Sequence, residues 1–438
     1  MGLRRLLAGL AGQAPARVFP VVGSGAREPV EQLRSDSRLC LVDSPRAATL
    51  LLVAGDLPEP LRGPARAVHD EIPHPRATIW WPLSGSAPVQ PSFPDALVVR
   101  QHEDVGGALA RVQAALLEGR QAPEPDLLPD VDPAPWRGVG PYGQGGKGMT
   151  GGVPYGRPLA ERAPDRDGLE LDQLHVGIGP FFPPFPPGLV LDVKLQGDVV
   201  QAAAVDGNAF AGSGTSAGMA PHALGRFVRA LTRPVPVAEL ELARARHHLL
   251  WLGHALRVHG LGALGRRAYR LAWHIQPDHA GPVAAFGRCL ERTRFLSWAT
   301  AGIGVTSAAS LAPVTPGPVS RAAGIAQDAR LLDPAYAALG FTPVIQHEGD
   351  ARARWRQRVA EAVQALELAA RAAGRATTPV GRVEAPRGTL TADESPAAGL
   401  LTLVPQLLTG LEWGDTVTTV VSLDLDLEEA AHHPWAAA

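Results

Sequence analysis

Two hydrophobic periods divide this chain, and a sequence that switches between them does not close around one simple core. Over residues 17–119 short apolar, β-rich runs alternate with helical patterns. Segments 18–22, 39–42, 49–54, 77–81 and 96–99 read as buried strands, and 28–35, 58–71 and 106–117 as the helices between them. Strand–helix alternation implies a parallel α/β sheet. Beyond Pro236 apolar residues recur about every 3.6 positions, which predicts helices over 237–259, 265–275, 282–301 and 349–373. Between these regions, residues 189–200 alternate apolar and polar side chains around Gln196-Gly197-Asp198, a hairpin signature. Near the end, 382–391 reads as a strand, 400–409 as a helix and 416–427 as an edge strand with acidic spacing.

The two regimes are separated by a Pro/Gly-rich stretch, so the expected organisation is an α/β domain over 1–120, a linker over 121–168 and an α+β domain over 169–438. Gly146-Lys147 in the linker lacks the Ser or Thr that a phosphate loop places after its Lys, and no strand precedes it; a connector or interface loop is the better reading. At 438 residues with 45% apolar content the chain can bury two or three cores. Lys and Arg total 41 against 43 Asp and Glu, so no global field draws it to nucleic acid. No stretch approaches the roughly 18 apolar residues of a spanning helix. Residues 1–12, with Arg4 and Arg5 before a short apolar run, admit three readings: a stunted signal peptide, an ordinary first helix, or a basic amphipathic helix against a membrane.

The chain has 2 cysteines, Cys40 and Cys289. That excludes a disulfide framework and fits a reducing cytoplasm. It also excludes a self-held iron-sulfur cluster, which needs about four thiolates. Cys40 lies in a predicted strand and reads as a small buried hydrophobe. Among His247, His248, His254 and His259 no pair has the i, i+4 spacing of a helical zinc site; His247 and His254 share a helix face but stand roughly 10 Å apart. They read as packing or interface histidines, and His432 and His433 as part of a disordered tail. Arg352, Arg354, Arg356 and Arg358 read as a solvated helix face, with contact to an acidic partner as the alternative.

Several blocks carry a family resemblance. In the first half Asp43-Ser44-Pro45-Arg46, the run from Leu51 to Gly55, Ile72-Pro73-His74-Pro75-Arg76 and Ile79-Trp80-Trp81 resemble the cluster-bearing small subunit of respiratory complex I and of membrane-bound [NiFe] hydrogenases. In the second half Gly179-Pro180-x-x-Pro183 with the hairpin after it, and Arg246-His247-His248-Leu249-Leu250-Trp251-Leu252-Gly253, are similar to the large, quinone-site subunit of NADH-quinone oxidoreductase, which is related to the hydrogenase large subunit. Further blocks follow in that family's order: Gly317-Pro318-x-x-Arg321 with Gly324 and Asp328, Gly349-Asp350-x-x-x-Arg354, Val383-Glu384-Ala385-Pro386-Arg387-Gly388 and Ser422-Leu423-Asp424. The resemblance implies a natural fusion of the two subunits: a flavodoxin-like α/β N-terminal domain joined to an α+β domain of the large-subunit type, a helix bundle with β-lobes.

The departures from the pattern fall on its chemistry. Where the small subunit carries cluster cysteines this chain reads Gly23-Ser24-Gly25-Ala26-Arg27, Ser84-Gly85-Ser86 and Gln101-His102-Glu103-Asp104. The two Cys pairs of a nickel-iron site are replaced by Ser213-Gly214-Thr215-Ser216 and the region of Leu425-Asp426. The quinone-reducing His falls on Phe182 and its later Asp on Val258, neither of which donates a proton. The loop over 181–187, Phe-Phe-Pro-Pro-Phe-Pro-Pro, is stiff and apolar, and either packs on a partner or lines a cavity. Arg321, Asp328, Asp350, Arg354, Glu384 and Arg387 are expected in structural ion pairs, with a charge relay as the alternative. The implied role is a redox-silent structural or coupling subunit, without cofactor or metal, in a complex I-like or energy-converting hydrogenase-like ion-translocating assembly. Its expected partners are membrane subunits of a complex I-like or cation/proton antiporter-like module and further peripheral-arm subunits, with the chain cytoplasmic and peripheral on the inner face of the membrane. The alternative is an NADH:quinone-type oxidoreductase subunit that receives electrons from a partner. Its cavity would involve Phe182, His248 and Val258, with His175 or His248 as hydrogen-bond donor.

Overall fold

The structure is a computed structural model that describes residues 11–83, 92–100, 103–129, 160–165, 167–211, 224–312, 314 and 316–431. Most of the N-terminal run 1–12, Ser84-Gly85-Ser86, Gln101-His102, Gly146-Lys147, Ser213-Gly214-Thr215-Ser216, His432 and His433 lie outside the described residues.

Five short apolar runs pair in parallel, in the order β2-β1-β3-β4-β5: β1 (Ala16–Val22), β2 (Leu39–Leu41), β3 (Leu50–Ala54), β4 (Ala77–Trp81) and β5 (Leu97–Val98). Helices α1 (Arg27–Leu33) and α2 (Glu59–Asp70) connect β1 to β2 and β3 to β4, and α3 (Val105–Leu117) follows β5. Both faces are covered, which is why β3 and β4 are buried throughout instead of alternating between buried and exposed side chains. Val18, Leu50, Leu52 and Ile79 pack towards Leu109 and Leu116 of α3. Phe19, Val21, Leu51, Val53 and Trp80 point the other way, with Ala65 of α2. The beginning of the expected linker belongs to this layer: Glu124 accepts from Thr78 N at 2.7 Å, Thr78 Oγ1 at 2.6 Å and His69 Nε2 at 3.0 Å.

A second, antiparallel sheet follows in the order β6-β7-β8-β9: β6 (Glu161–Pro164), β7 (Glu170–Ile178), β8 (Leu191–Gln196) and β9 (Val199–Val205). β8 and β9 form the expected hairpin, and Gly197 at φ 63° makes its turn. After α4 (Gly225–Ala230), the long helices α5 (Val237–Val258), α6 (Gly262–Trp273), α7 (Ala280–Arg292) and α11 (Ala351–Arg371) bury one core around Leu249, Leu252, Leu256, Phe286 and Leu366. Gly253 lets α6 approach α5; a Cβ there would stand 2.8 Å from the Tyr269 ring. Between α7 and α11 lie α8 (Arg294–Thr300), α9 (Pro318–Ala322) and α10 (Pro334–Ala337). The chain ends in β10 (Arg382–Ala385), β11 (Gly388–Thr391), α12 (Pro396–Leu408), α13 (Trp413–Leu423) and α14 (Leu427–Ala431). No helix among the described residues is long and apolar enough to cross a membrane.

Five expectations are corrected. Segment 416–427 is not an edge strand: it is mostly α13. Its β-branched residues suit a helix because Thr418 and Thr419 donate to the carbonyls of Gly414 and Asp415 at 3.0 and 2.8 Å, and because Val420 and Val421 face two different cores. Segment 382–391 is a β10–β11 hairpin, and 282–301 breaks at Thr293 into α7 and α8. Cys40 is exposed, since β2 is an edge strand of 3 residues whose middle side chain stands beside exposed Arg17. The arginine run divides by helical spacing: Arg354 and Arg358 are fully buried, whereas Arg352 and Arg356 pair with Glu291 at 3.5 and 2.9 Å on the outside.

Candidate functional site

A cavity of about 160 Å³ lies where the carboxyl end of β1 meets the second half of the chain. In sheets of this kind ligands bind outside the carboxyl ends of the strands where the order reverses, here beside β1. Its apolar wall is the loop over 180–187 with Leu250 and Trp251 of α5. The loop starts at Gly179, whose φ of 122° and position admit no side chain: a Cβ would stand 2.0 Å from the Leu189 carbonyl oxygen. Phe182 and Phe185 meet edge to face at 4.9 Å, and both lie within 6.2 Å of Trp413.

The polar floor converges on Asp424, which sits in the left-handed region (φ 57°) at the C-terminus of α13 and is 3% exposed. Asp424 Oδ2 is 2.6 Å from His247 Nε2 and 3.4 Å from Arg358 Nη1, and Oδ1 is 3.4 Å from Arg387 Nη2. Burial alone would raise this carboxyl, but Arg387, His247 and Arg358 hold it well below the usual carboxylate range. Burial lowers His247 to about 4 in spite of Asp424, so at neutral pH it is an uncharged imidazole. Arg387 also donates to Glu429 at 2.8 Å and lies 3.1 Å from Asp426. Arg27 reaches over from α1 to Asp426 at 3.0 Å and to the Leu425 carbonyl at 2.9 Å. The backbone N–H of Gly25 donates to both carboxylate oxygens of Glu428, at 2.9 and 3.1 Å. Burial, with Asp426 adding to it, pushes Glu428 up to about 7, and burial likewise pushes Glu429 up to about 7.

On the side wall Tyr269 Oη donates to Glu31 at 2.6 Å and Arg34 pairs with Glu31 at 3.0 Å. Burial would raise Glu31, yet Arg34, His254, Tyr269 and Arg257 lower it to about 2. His254, lowered to about 4 chiefly by burial and then by Arg257, donates to the Pro184 carbonyl at 3.1 Å and so ties α5 to the Phe/Pro loop.

Behind the floor a second charged layer crosses the interior. Fully buried Arg321 pairs with Glu361, Glu384 and Asp328 at 2.8, 2.7 and 3.1 Å. Arg330 links Asp328 to Glu241, at 2.8 and 3.3 Å, and Glu241 also accepts from Tyr336 Oη at 2.6 Å. Arg354 donates to Ser422 at 2.7 Å, and Asp350 caps α11 by accepting from Ala353 N at 2.7 Å. Of the late charged motifs, Arg321, Asp328, Glu384 and Arg387 therefore stand in interlocking ion pairs, whereas Arg354 and Asp350 are held by hydrogen bonds alone.

The residues proposed from sequence are dispersed. Phe182 lines the cavity. His248 is turned inward, its Nε2 3.3 Å from Glu361 Oε2 without hydrogen-bond alignment. Val258, at the far end of α5, packs in the helical core. His175 is exposed on β7, 3.7 Å from Glu161, and lines no part of the cavity. The imidazoles that do face it are His247 and His254, placed together by the shared helix face already visible in their spacing. Asp424 stands in the Ser422-Leu423-Asp424 block already visible in the sequence, whereas Glu31 and Glu428 carry no local sequence signal; chain topology brings all three to one cavity. Among the described residues no cluster of three His, Cys, Asp or Glu side chains could hold a metal ion.

Residues 279–398 match the sequence profile of the family described as "Respiratory-chain NADH dehydrogenase, 49 Kd subunit". The interval includes the blocks from Gly317 to Asp328, Gly349 to Arg354 and Val383 to Gly388. No curated protein matches the chain. Among solved structures, a chain of "the membrane-bound sulfane sulfur reductase (MBS), an archaeal respiratory membrane complex" aligns with a TM-score of 0.46 and 18% identity, over 60% of this chain and 99% of that one.

Proposed function

We propose that this protein is a redox-silent coupling subunit of a complex I-like or energy-converting hydrogenase-like ion-translocating assembly. It fuses a flavodoxin-like domain of the small-subunit type, up to about residue 120, to a domain of the large-subunit type from about 169 onward. The parallel strand order supports the first, and the profile match over 279–398 supports the second. One observation carries the reading. The two loops aligned with metal-ligand cysteines, at Gly25 and at Leu425-Asp426, bond to each other across the cavity: Gly25 to Glu428, and Arg27 to Asp426 and the Leu425 carbonyl. Loops that carry metal-ligand cysteines in the resembled families here fasten one half of the chain to the other.

In this role the chain sits on the cytoplasmic side of membrane subunits of a complex I-like or cation/proton antiporter-like module. Affinity purification from membranes, combined with metal analysis, tests it. Membrane subunits should co-purify, and the isolated chain should contain no iron or nickel at cluster stoichiometry; stoichiometric iron in the isolated chain overturns the proposal.

A second reading, a quinone pocket with electrons supplied by a partner, is favoured by the Phe182, Phe185 and Trp251 wall beside uncharged His247 and His254. Its donors would be these two histidines and not His175 or His248. Photo-crosslinking with an azidoquinone should then label the 180–187 loop and weaken in His247→Phe; labelling unaffected by that change removes this reading.

A further inference from the structure

The protein as a whole is close to neutral, but one of its surfaces is not. Between residues 257 and 300 there are seven arginines, Arg257, Arg266, Arg267, Arg270, Arg288, Arg292 and Arg294, and two acids, Asp278 and Glu291. Two acids do not balance that face. Glu291 is taken up by Arg356 and Arg352 of α11, which leaves the exposed Asp278 as the one acid of this stretch to set against its arginines. Arg257 turns away to pair with Asp43. The other six arginines are exposed, and none of them has an ion-pair partner among the described residues.

Helical spacing aligns these side chains. Arg266 and Arg270 are four apart on α6, and Arg288 and Arg292 four apart on α7. Arg267 reaches from α6 to α7, its guanidinium 5.1 Å from the Phe286 ring centre, which brings its charge from one basic helix to the other. On α8 Arg294 stands one turn from Trp298, which is 80% exposed, and nearby Val305 is 56% exposed.

We infer that the exposed face of α6, α7 and α8 is a docking surface for the anionic phospholipid headgroups of a bilayer. Guanidinium groups pair with phosphate in bidentate fashion, and six of them spread over three helices suit a fluid array of headgroups better than one fixed acidic epitope. An exposed indole beside them is the side chain that settles at a membrane–water boundary. The contact is independent of the protein partners proposed above, because it uses no residue of the cavity and can be measured on the purified chain alone.

The test is co-sedimentation of the full-length protein with vesicles. Phosphatidylcholine vesicles containing a third phosphatidylglycerol should bind it at low salt, pure phosphatidylcholine vesicles should not, and binding should fall steeply as salt is raised. At about 1 kcal/mol for each basic residue near an anionic surface, each Arg→Gln change lowers partitioning roughly fivefold, so R266Q/R270Q/R288Q/R292Q should lose several hundredfold. Circular dichroism checks that these surface changes leave the fold intact, and W298F should lose the blue shift in tryptophan emission that accompanies binding. Equal partitioning to both vesicle types, or undiminished binding by the quadruple variant, overturns the inference. So does retention on polyglutamate beads without vesicle binding, which would assign the face to an acidic protein.

Discussion

Asp424 shows at the scale of one residue how this interior is balanced. Its backbone occupies a conformation that Asp tolerates better than most side chains, which aims the carboxylate at His247, Arg358 and Arg387 together. Arg387→Met would leave Asp424, Asp426 and Glu429 crowded without their shared cation. Removing one partner of a buried pair costs about 3–5 kcal/mol, so the urea midpoint should fall accordingly, and a loss below about 1 kcal/mol would show that the cluster is not held in this way. The same residues set a pH profile. Glu31, at about 2 in the folded protein against an ordinary 4.5, contributes stability that is complete above pH 4.5 and is lost as pH falls towards 2, about 3 kcal/mol in all. His247 and His254, lowered to about 4 from 6.5, act in the same direction, their contribution lost as pH drops from 6.5 through 4. Glu428 and Glu429 oppose them: raised to about 7 from 4.5, they stabilise fully below pH 4.5 and lose that contribution as pH rises through 7. Thermal melting between pH 6 and 8 should therefore decline in the native protein and decline less in Glu428→Gln; identical profiles would exclude Glu428 as a source of the alkaline limb.

At the scale of elements, the cavity wall depends on how a loop is launched. Gly179→Ala places a methyl group against the Leu189 carbonyl in a backbone region that alanine avoids, at a cost of about 1–3 kcal/mol. The Phe/Pro loop should swing away, and the hydrogen bond that ties it to α5, from His254 to the Pro184 carbonyl, should open. Faster hydrogen exchange confined to 180–190 would report this; unchanged exchange would mean that the loop is fixed from elsewhere. Elements with one strong local signal were legible in the sequence. The apolar runs of β3 and β4, the Gly197 hairpin and the long periods of α5 and α11 all stand close to where their patterns put them. α13 was not legible, because the run Thr416-Val417-Thr418-Thr419-Val420-Val421 carries strand propensity, and two cores on opposite sides override it. The floor of the cavity was not legible for another reason: Gly25 and Glu428 are 403 positions apart, and no period or spacing encodes that contact. Only residues on one helix, His247 and His254, gave a readable pairing.

For the molecule as a whole, the fastening of its halves decides how it unfolds. The parallel sheet and the helical bundle each have a core of their own, which by itself predicts two independent transitions. Several contacts work against that independence. Arg27 bonds to Asp426 and the Leu425 carbonyl, Gly25 to Glu428, Tyr269 to Glu31, and Arg257 to Asp43, while Phe181 packs into the core under the parallel sheet. Tyr269 and Glu31 form the most buried of these polar links, and Arg27 anchors the opposite rim. If each is worth about 1–3 kcal/mol as a hydrogen bond to a charged group, together they suffice to couple two domains of ordinary stability. The native chain should then melt in one calorimetric transition, and Arg27→Ala combined with Tyr269→Phe should split it in two. The component assigned to residues 16–117 should move more than the bundle, since Glu31 is left buried beside Arg34 with one donor fewer. Two transitions in the native chain, or one in the double variant, would mean that the halves are joined by the apolar contacts around Phe181 instead. The cavity would then be a by-product of packing between two domains, not a site held in shape by paired charges.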